Sequence, residues 1–420
     1  MNAGLGPLRE REFRLLFIGR GTAVLGNAIA PVALAFAVLD ITGSKTDLGL
    51  VLAARSLPQV VFLLIGGIWA DRLPRHHVMV ASDLISGASQ AAVAALLILG
   101  EAQIWHLAVF GVINGTATAF FFPASQGIVP QTVPPALLQQ ANALLRLVLN
   151  SSFIGGAALG GVLVAAFGSG TAIAIDSATF LVGAVFVGAM RIPETLRLES
   201  SNFLTDLAVG WQGFRSRTWL WVIVLQFSLV NAVQAGSMAV LGPVVAKEEL
   251  GGARDWGLIA AAVPIGMVAG ALVGLRFRPQ RMLLTATLAI LLMPVVLIAI
   301  AFPLALPLIM VAAFVAGFGI ETFGVLWDTT MQQQIPGEML SRVYSYDMLG
   351  SIALIPVSFA LVGPIAELVG VRATLWGAAA VAVAATLPVL LVRDVRMLER
   401  KHVEPEVLAS RPARDEPAPA

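Results

Sequence analysis

Arg20, Arg55, Asp83, Asp176 and Glu321 lie inside long apolar runs. Each run is about as long as a bilayer core requires of a helix, roughly 20 residues. A charge at that depth costs about 2.5–3.5 kcal/mol on insertion scales, so each needs a reason to be there. Loss of water favours the neutral form of a carboxyl group, so a carboxylate inside a span is suited to take up and release a proton. Glu321, Asp176 and Asp83 are the candidates for that role. Glu321 comes first, because GIETFG sets it among small residues; a fixed ion pair with an arginine, or a solvated position near the membrane edge, is the competing reading. Asp83 stands about two turns from the end of its run, where a carboxylate can also serve as an edge anchor. Asp176 stands near the start of its own, where it can also cap the span. Arg20 and Arg55 read as neutralising partners of carboxylates, or as contacts for an anionic substrate.

A second set is polar without charge: Asn27, Gln59, Asn114, Asn150, Gln226, Asn231 and Gln234, with Trp327 beside them. These residues are candidates for lining a cavity, and the alternative for each is a hydrogen bond or packing contact between helices. A third set is the stretch GGIWADRLPRHH at 66–77, in which five of twelve residues are acidic or basic. It separates two apolar runs, so it is a turn at the membrane surface.

Positioning these residues takes a membrane. The chain has 420 residues, 58% hydrophobic and 12% charged, against about a quarter charged in a soluble protein. That charge cannot cover a soluble surface of this size. Twelve spans are expected, at about 13–39, 48–70, 77–99, 104–122, 145–167, 171–190, 219–241, 256–275, 282–301, 304–326, 345–367 and 371–392. All must be helices, because hydrocarbon offers no partner to an unpaired backbone group. The fold class is thus all-α and polytopic. Most connections are short; the segment 191–218 and the tail 393–420 are the exceptions. The tail, rich in Pro, Ala and charge, is expected to be disordered. Phe203, Leu204, Leu207, Trp211 and Phe214 share one face, which predicts a short helix on the membrane surface within 191–218.

Lys and Arg set the orientation. One side carries Arg9, Arg72, Arg75, Arg146, Arg217, Arg281, Arg342, Arg393 and many more, the other only Lys45, Lys247, Arg254 and Arg372. Both termini and the central loop are therefore expected in the cytoplasm. The chain also repeats. DLGL at 47–50 corresponds to DWGL at 255–258, PQTVP at 130–134 to QQQIP at 332–336, and VPPALL at 133–138 to IPGEML at 335–340, about 205 residues apart. Two six-helix halves in the same orientation follow, 1–190 and 219–392, around a central cavity. Parallel halves with a site between them suit a transporter that rocks.

Gly67-x-x-x-Asp71-Arg72-x-x-Arg75 resembles the signature loop of the major facilitator superfamily, departing from it at Pro74 and His76. Gly67 allows a neighbouring helix close approach. The resemblance implies that Asp71 faces the N-terminal end of the eleventh helix, near Ser341–Tyr344, and latches the halves closed on the inside. The counterpart turn LRFRPQR at 275–281 lacks the acid. In SSFIGGAALGGVL, Gly156-x-x-x-Gly160-Gly161 resembles the GPxxGG motif of the exporter branch, with Ala157 in place of its proline. Generic helix packing is the alternative there. Residues 10–392 as a whole are similar to the twelve-helix exporters that include macrolide-efflux and enterobactin-export proteins. Relatives often carry an acid where LGN places Asn27, so coupling here must use another residue.

The expectation is alternating access at the cytoplasmic membrane, with proton-coupled efflux of a small amphiphilic compound by a monomer. An importer or facilitator of the same fold and a transport-dead sensor are the alternatives. Partners are the substrate, protons and the bilayer. No cofactor, metal set, nucleotide motif, basic nucleic-acid surface or catalytic cluster is found, so an enzyme is not expected, and the absence of cysteine removes thiol chemistry.

Overall fold

The computed structural model describes residues 3–192, 210–274, 276–302 and 304–400, and the side chains within them other than those of 3–5, 63–72, 139, 337, 338 and 341. These residues are helical, with no strand among them. A first group of helices comprises α1 (Arg11–Ile41), α2 (Lys45–Arg72), α3 (Arg75–Leu99), α4 (Ile104–Gly127) and α5 (Leu138–Gly188). The last is 51 residues long and breaks at Gly168, whose φ of 81° and ψ of 164° belong to a region that only glycine occupies readily. Its contacts with α1 reveal a reversal there. Before the break, Gly21 faces Val148, Gly156 faces Ala28, and Gly160 faces Ile29 and Val32, so this arm runs parallel to α1. After it, Gly26 faces Asp176 and Thr179, and Gly19 faces Gly183, so the second arm runs antiparallel.

The second group begins with α6 (Thr218–Gly236), which passes through a π-helical turn at Ser237–Leu241 into α7 (Gly242–Glu249). The expected seventh span therefore continues to Glu249, because the apolar PVVA sequence sustains the helix until polar residues end it. Next come α8 (Ala253–Gly274), then α9 (Met282–Ile290) and α10 (Val295–Ala301), which are two pieces of one segment parted before Pro294. Proline lacks the N–H that would continue the ladder. α11 (Leu306–Gln334), α12 (Gly337–Ile352), α13 (Ile355–Val369) and α14 (Val371–Thr386) complete the group. The tail does not begin at 393. Arg393–Met397 form a short helix, α15, Val395 is fully buried, and the Arg400 N–H donates to the Gln280 carbonyl at 3.0 Å. Residues 401–420 lie outside the described residues.

Among the described residues, ten segments are long and apolar enough to cross a bilayer. Their outer faces are apolar: Leu368 is 84% and Val185 70% exposed. Such surface is stable against lipid and costly in water. Turn glycines repeat as the sequence does. Gly43 and Gly252 share a positive φ of 66° and 70°, and Gly168 and Gly370 share 81° and 89°, each pair separated by about the repeat length. Within the first group α1 and α3 pack on α5 and α2 on α4; within the second α11 packs on α8, α9 and α10, and α6 on α12, α13 and α14. The groups meet along α5 with α8 and α2 with α13.

Candidate functional site

The junction between the groups is tightest at one end, here the Lys45 end. A Cβ on Gly363 would stand 2.6 Å from the Lys45 carbonyl, and one on Gly161 would stand 2.5 Å from the Ala253 carbonyl and 3.0 Å from the Gly257 Cα. These helices therefore touch backbone to backbone, which only glycine permits. Gly49 fits against the Phe359 carbonyl in the same way. Ion pairs cross the same seam: Lys247 with Asp40, and Lys45 with Glu248 at 3.9 Å. The Lys247 ammonium also donates to the Leu39 carbonyl at 2.8 Å.

Inside the first group the charged candidates separate. Asp176 is 0% exposed and accepts a 2.6 Å hydrogen bond from Gln90 Nε2, while its Oδ1 has no hydrogen-bond partner among the described residues. Arg55 is the cation that acts on it. A cap at a span's start is thus replaced by a core position under Gly26, where a Cβ would stand 2.6 Å from Asp176 Oδ1. Arg20 turns elsewhere, donating to the Ser125 carbonyl of α4 at 3.4 Å. Asp83 is buried against Gly183, so the edge-anchor alternative does not describe it. Asn114 is buried with neither end of its amide bonded among the described residues. Asn27 is half-buried, and Gln59 and Asn150 are exposed.

In the second group, Glu321 is half-buried on α11, its Cβ close to Gly270 of α8. Arg146 of α5 acts on it from the other group, and Asp328 from its own helix. Gly324, between the two acids, faces open space. Sequence reasoning did not single out Asp328 and Asp347. The Trp327 indole N–H donates to Asp347 Oδ2 at 3.0 Å, and Tyr344 donates its hydroxyl to Asp328 at 3.0 Å. The signal was available, since Asp347 opens an apolar run and WD at 327–328 precedes the helix end. Trp327 itself is buried between Trp219 and Phe323, which makes it a packing residue. Gln226 donates to Thr386 at 3.0 Å and Asn231 to the Ser351 carbonyl at 3.1 Å, both tying helices together. Gln234 is buried at the π-helical turn, its Oε1 without a partner among the described residues.

The motif residues divide likewise. The side chains of Gly67, Asp71 and Arg72 lie outside the described ones, although α2 itself extends to Arg72. Arg75 donates to the Gly127 carbonyl at the end of α4, a tie within its own group. Gly156 and Gly160 seat α5 on α1, and Gly161 seats it on α8. Of the surface-helix residues, 203–207 lie outside the described chain. Trp211 and Phe214 pack at a tilt against Tyr346 of α12, at 5.5 and 6.0 Å between ring centroids. His106 has a structural role, since its Nδ1 accepts the Gln103 N–H at 3.1 Å in a helix cap.

The sequence profile of the Major Facilitator Superfamily matches residues 16–353. Multidrug efflux pump Tap of Mycolicibacterium fortuitum is 29% identical, over 98% of this chain and all of its own length. Macrolide efflux protein A of Streptococcus pyogenes is 24% identical, over 93% of this chain and 98% of its own. Among solved structures, the nucleoside transporter NupG matches with a TM-score of 0.72 at 12% identity, covering 90% of this chain and 98% of its own. A bacterial homologue of the lysosomal transporter Spinster, in an inward-facing and unoccupied conformation, matches at 0.71 and 14% identity, over 93% and 98%.

Proposed function

Since the chain belongs to the major facilitator superfamily, we propose that it is a secondary active exporter that exchanges protons for a small amphiphilic organic compound. It is a multi-pass membrane protein of a transporter family, which is not an enzyme class. The proposal adds direction, coupling and substrate class. Twelve crossings are proposed: the ten segments, with the reversal at Gly168 dividing one of them and α2 adding another. Residues 1–190 and 219–392 act as two rocking halves, joined by 191–218. The basic Arg75 end faces the cytoplasm with both termini, by the excess of Lys and Arg there, and the membrane is the cytoplasmic one.

The observation that carries this reading is the junction between the halves, sealed by glycine contacts and ion pairs at the Lys45 end. An interface that is closed at one end and formed mainly by α2 and α5 against α13 and α8 suits a rocking motion. Export is supported by two relatives, both named as efflux proteins and both matched over nearly their whole length. Proton coupling is supported by Glu321 and Asp176, carboxylates held inside apolar helices, with Asp83 as a third candidate.

Purified protein in liposomes with an internal pH-sensitive dye tests the reading. Under an imposed pH gradient, a panel of amphiphilic compounds is added to the wild type and to Glu321→Gln. Compound-dependent proton flux lost in the variant is the expected result. Flux that survives moves the proton site to Asp176 or Asp83. Absence of flux with every compound overturns the antiport reading and favours a facilitator.

A further inference from the structure

Arg146 and Glu321 stand at the same depth on opposite halves. Helices α5 and α8 run antiparallel and touch at Gly161 and Gly257. From that contact, Arg146 is 15 residues along α5 and Gly270 is 13 along α8, ~20 Å in each case at about 1.5 Å per residue. Both lie toward the Arg75 end, and Glu321 is seated on Gly270. Arg146 is exposed, and neither it nor Glu321 has an ion pair with a described residue. The remaining charges near Glu321 are few. Asp328 is on its own helix, Tyr344 and Asp347 lie a turn or more beyond on α12, and α8 and α9 carry no charge at this level.

We infer that Arg146 and Glu321 form a salt bridge across the halves when the Arg75 end closes, and that protonation of Glu321 releases it. The bridge complements the Asp40–Lys247 and Lys45–Glu248 pairs, which hold the opposite end shut. Approach of α5 to α11 removes water from both charges, and an ion pair withdrawn from water is screened less than an exposed one. A neutral Glu321 offers Arg146 no charge to meet, so low pH biases the Arg75 end open. A proton bound from the outer side would thus open the inner side, and its release would permit closure again. This deepens the proposed antiport and rests on it for its biological meaning.

The absence of cysteine allows spin labels at two introduced sites. Leu73→Cys and Phe277→Cys place one exposed label on each half at the Arg75 end. Distance distributions are measured in lipid nanodiscs across about pH 5 to 9, a range that covers displaced glutamate titrations. The short-distance population of the otherwise unaltered protein is expected to grow with pH. Arg146→Gln and Glu321→Gln should each reduce it about fivefold at high pH, the low end of a conformational coupling, and abolish its pH dependence. The double variant Arg146→Glu with Glu321→Arg should restore it. Single variants that keep the original pH response, or a double variant that restores nothing, overturn the bridge. The liposome assay separates the two proposals. Distances that respond as expected without compound-dependent flux leave the bridge standing and remove antiport. Flux with unresponsive distances does the reverse.

Discussion

At the Lys45 end the two halves meet backbone to backbone, with Gly363 on Lys45 and Gly161 on Gly257, and ion pairs close the seam. Toward the Arg75 end, Arg146 on α5 and Glu321 on α11 stand at one level without pairing. One end is joined by shape and the other is equipped with charge. Shape contacts between glycines leave no room for adjustment, so that end is either docked or apart. Charge contacts can be tuned by a proton, so the Arg75 end is where an energy source can act. Arg75 secures α3 to the end of α4 within its own half.

The contrast can be broken most forcefully at the glycines. Gly363→Val puts side-chain atoms where the Lys45 carbonyl and the Thr46 Cα stand 2.6 Å from an ideal Cβ. Overpacking of this kind costs about 1–3 kcal/mol. Transport should fall by tenfold or more (~10-fold per 1.4 kcal/mol), and labels placed at the Lys45 end should move apart. Unchanged distances there would mean that glycine packing does not hold the seam. Gly26→Ala comes next, because its Cβ would stand 1.9 Å from Thr179 Oγ1 and 2.6 Å from Asp176 Oδ1. A lowered thermal unfolding midpoint in detergent is expected, together with loss of proton flux if Asp176 takes part in coupling.

Lys247→Ala removes one ion pair and one bond to the Leu39 carbonyl. Partly exposed pairs contribute about 0.2–1 kcal/mol, so the Lys45 end should open only a few times more often. Added salt should mimic the variant in the unaltered protein, which single-molecule distance measurements can check. The smallest effect is expected at Gly324, where a Cβ meets nothing within 4 Å. Gly324→Ala should leave transport near its original rate and raise helix stability by up to ~1 kcal/mol. A large loss of transport there would mean that the space beside Glu321 is occupied during the cycle.

Much of the fold was legible in the sequence because lipid restricts the choice. Apolar runs of the right length can only be helices, and the repeats of DLGL with DWGL and of PQTVP with QQQIP predict a repeated bundle. The turn glycines at 43 and 252 and at 168 and 370 repeat in the same way. The motif glycines were legible as packing residues, but not which neighbour each would meet. Gly160 faces α1 whereas Gly161 faces α8, because adjacent residues on a helix point about 100° apart. The tail boundary was misplaced, since composition registers polarity and not the pocket that buries Val395.

Sequence by itself determined that this chain lives in a membrane, that it is helical and repeated, and that a few charges are placed where charge is expensive. Those properties depend on composition and local order, which every stretch of chain carries with it. Only the tertiary structure decided which groups come together: Asp176 with Gln90 and Arg55, Trp327 with Asp347, and Arg146 at the level of Glu321. Groups separated by 86 or more residues in the first case, and by well over a third of the chain in the last, are brought to one depth by helix register and by glycine contacts. No local pattern in the chain encodes that depth.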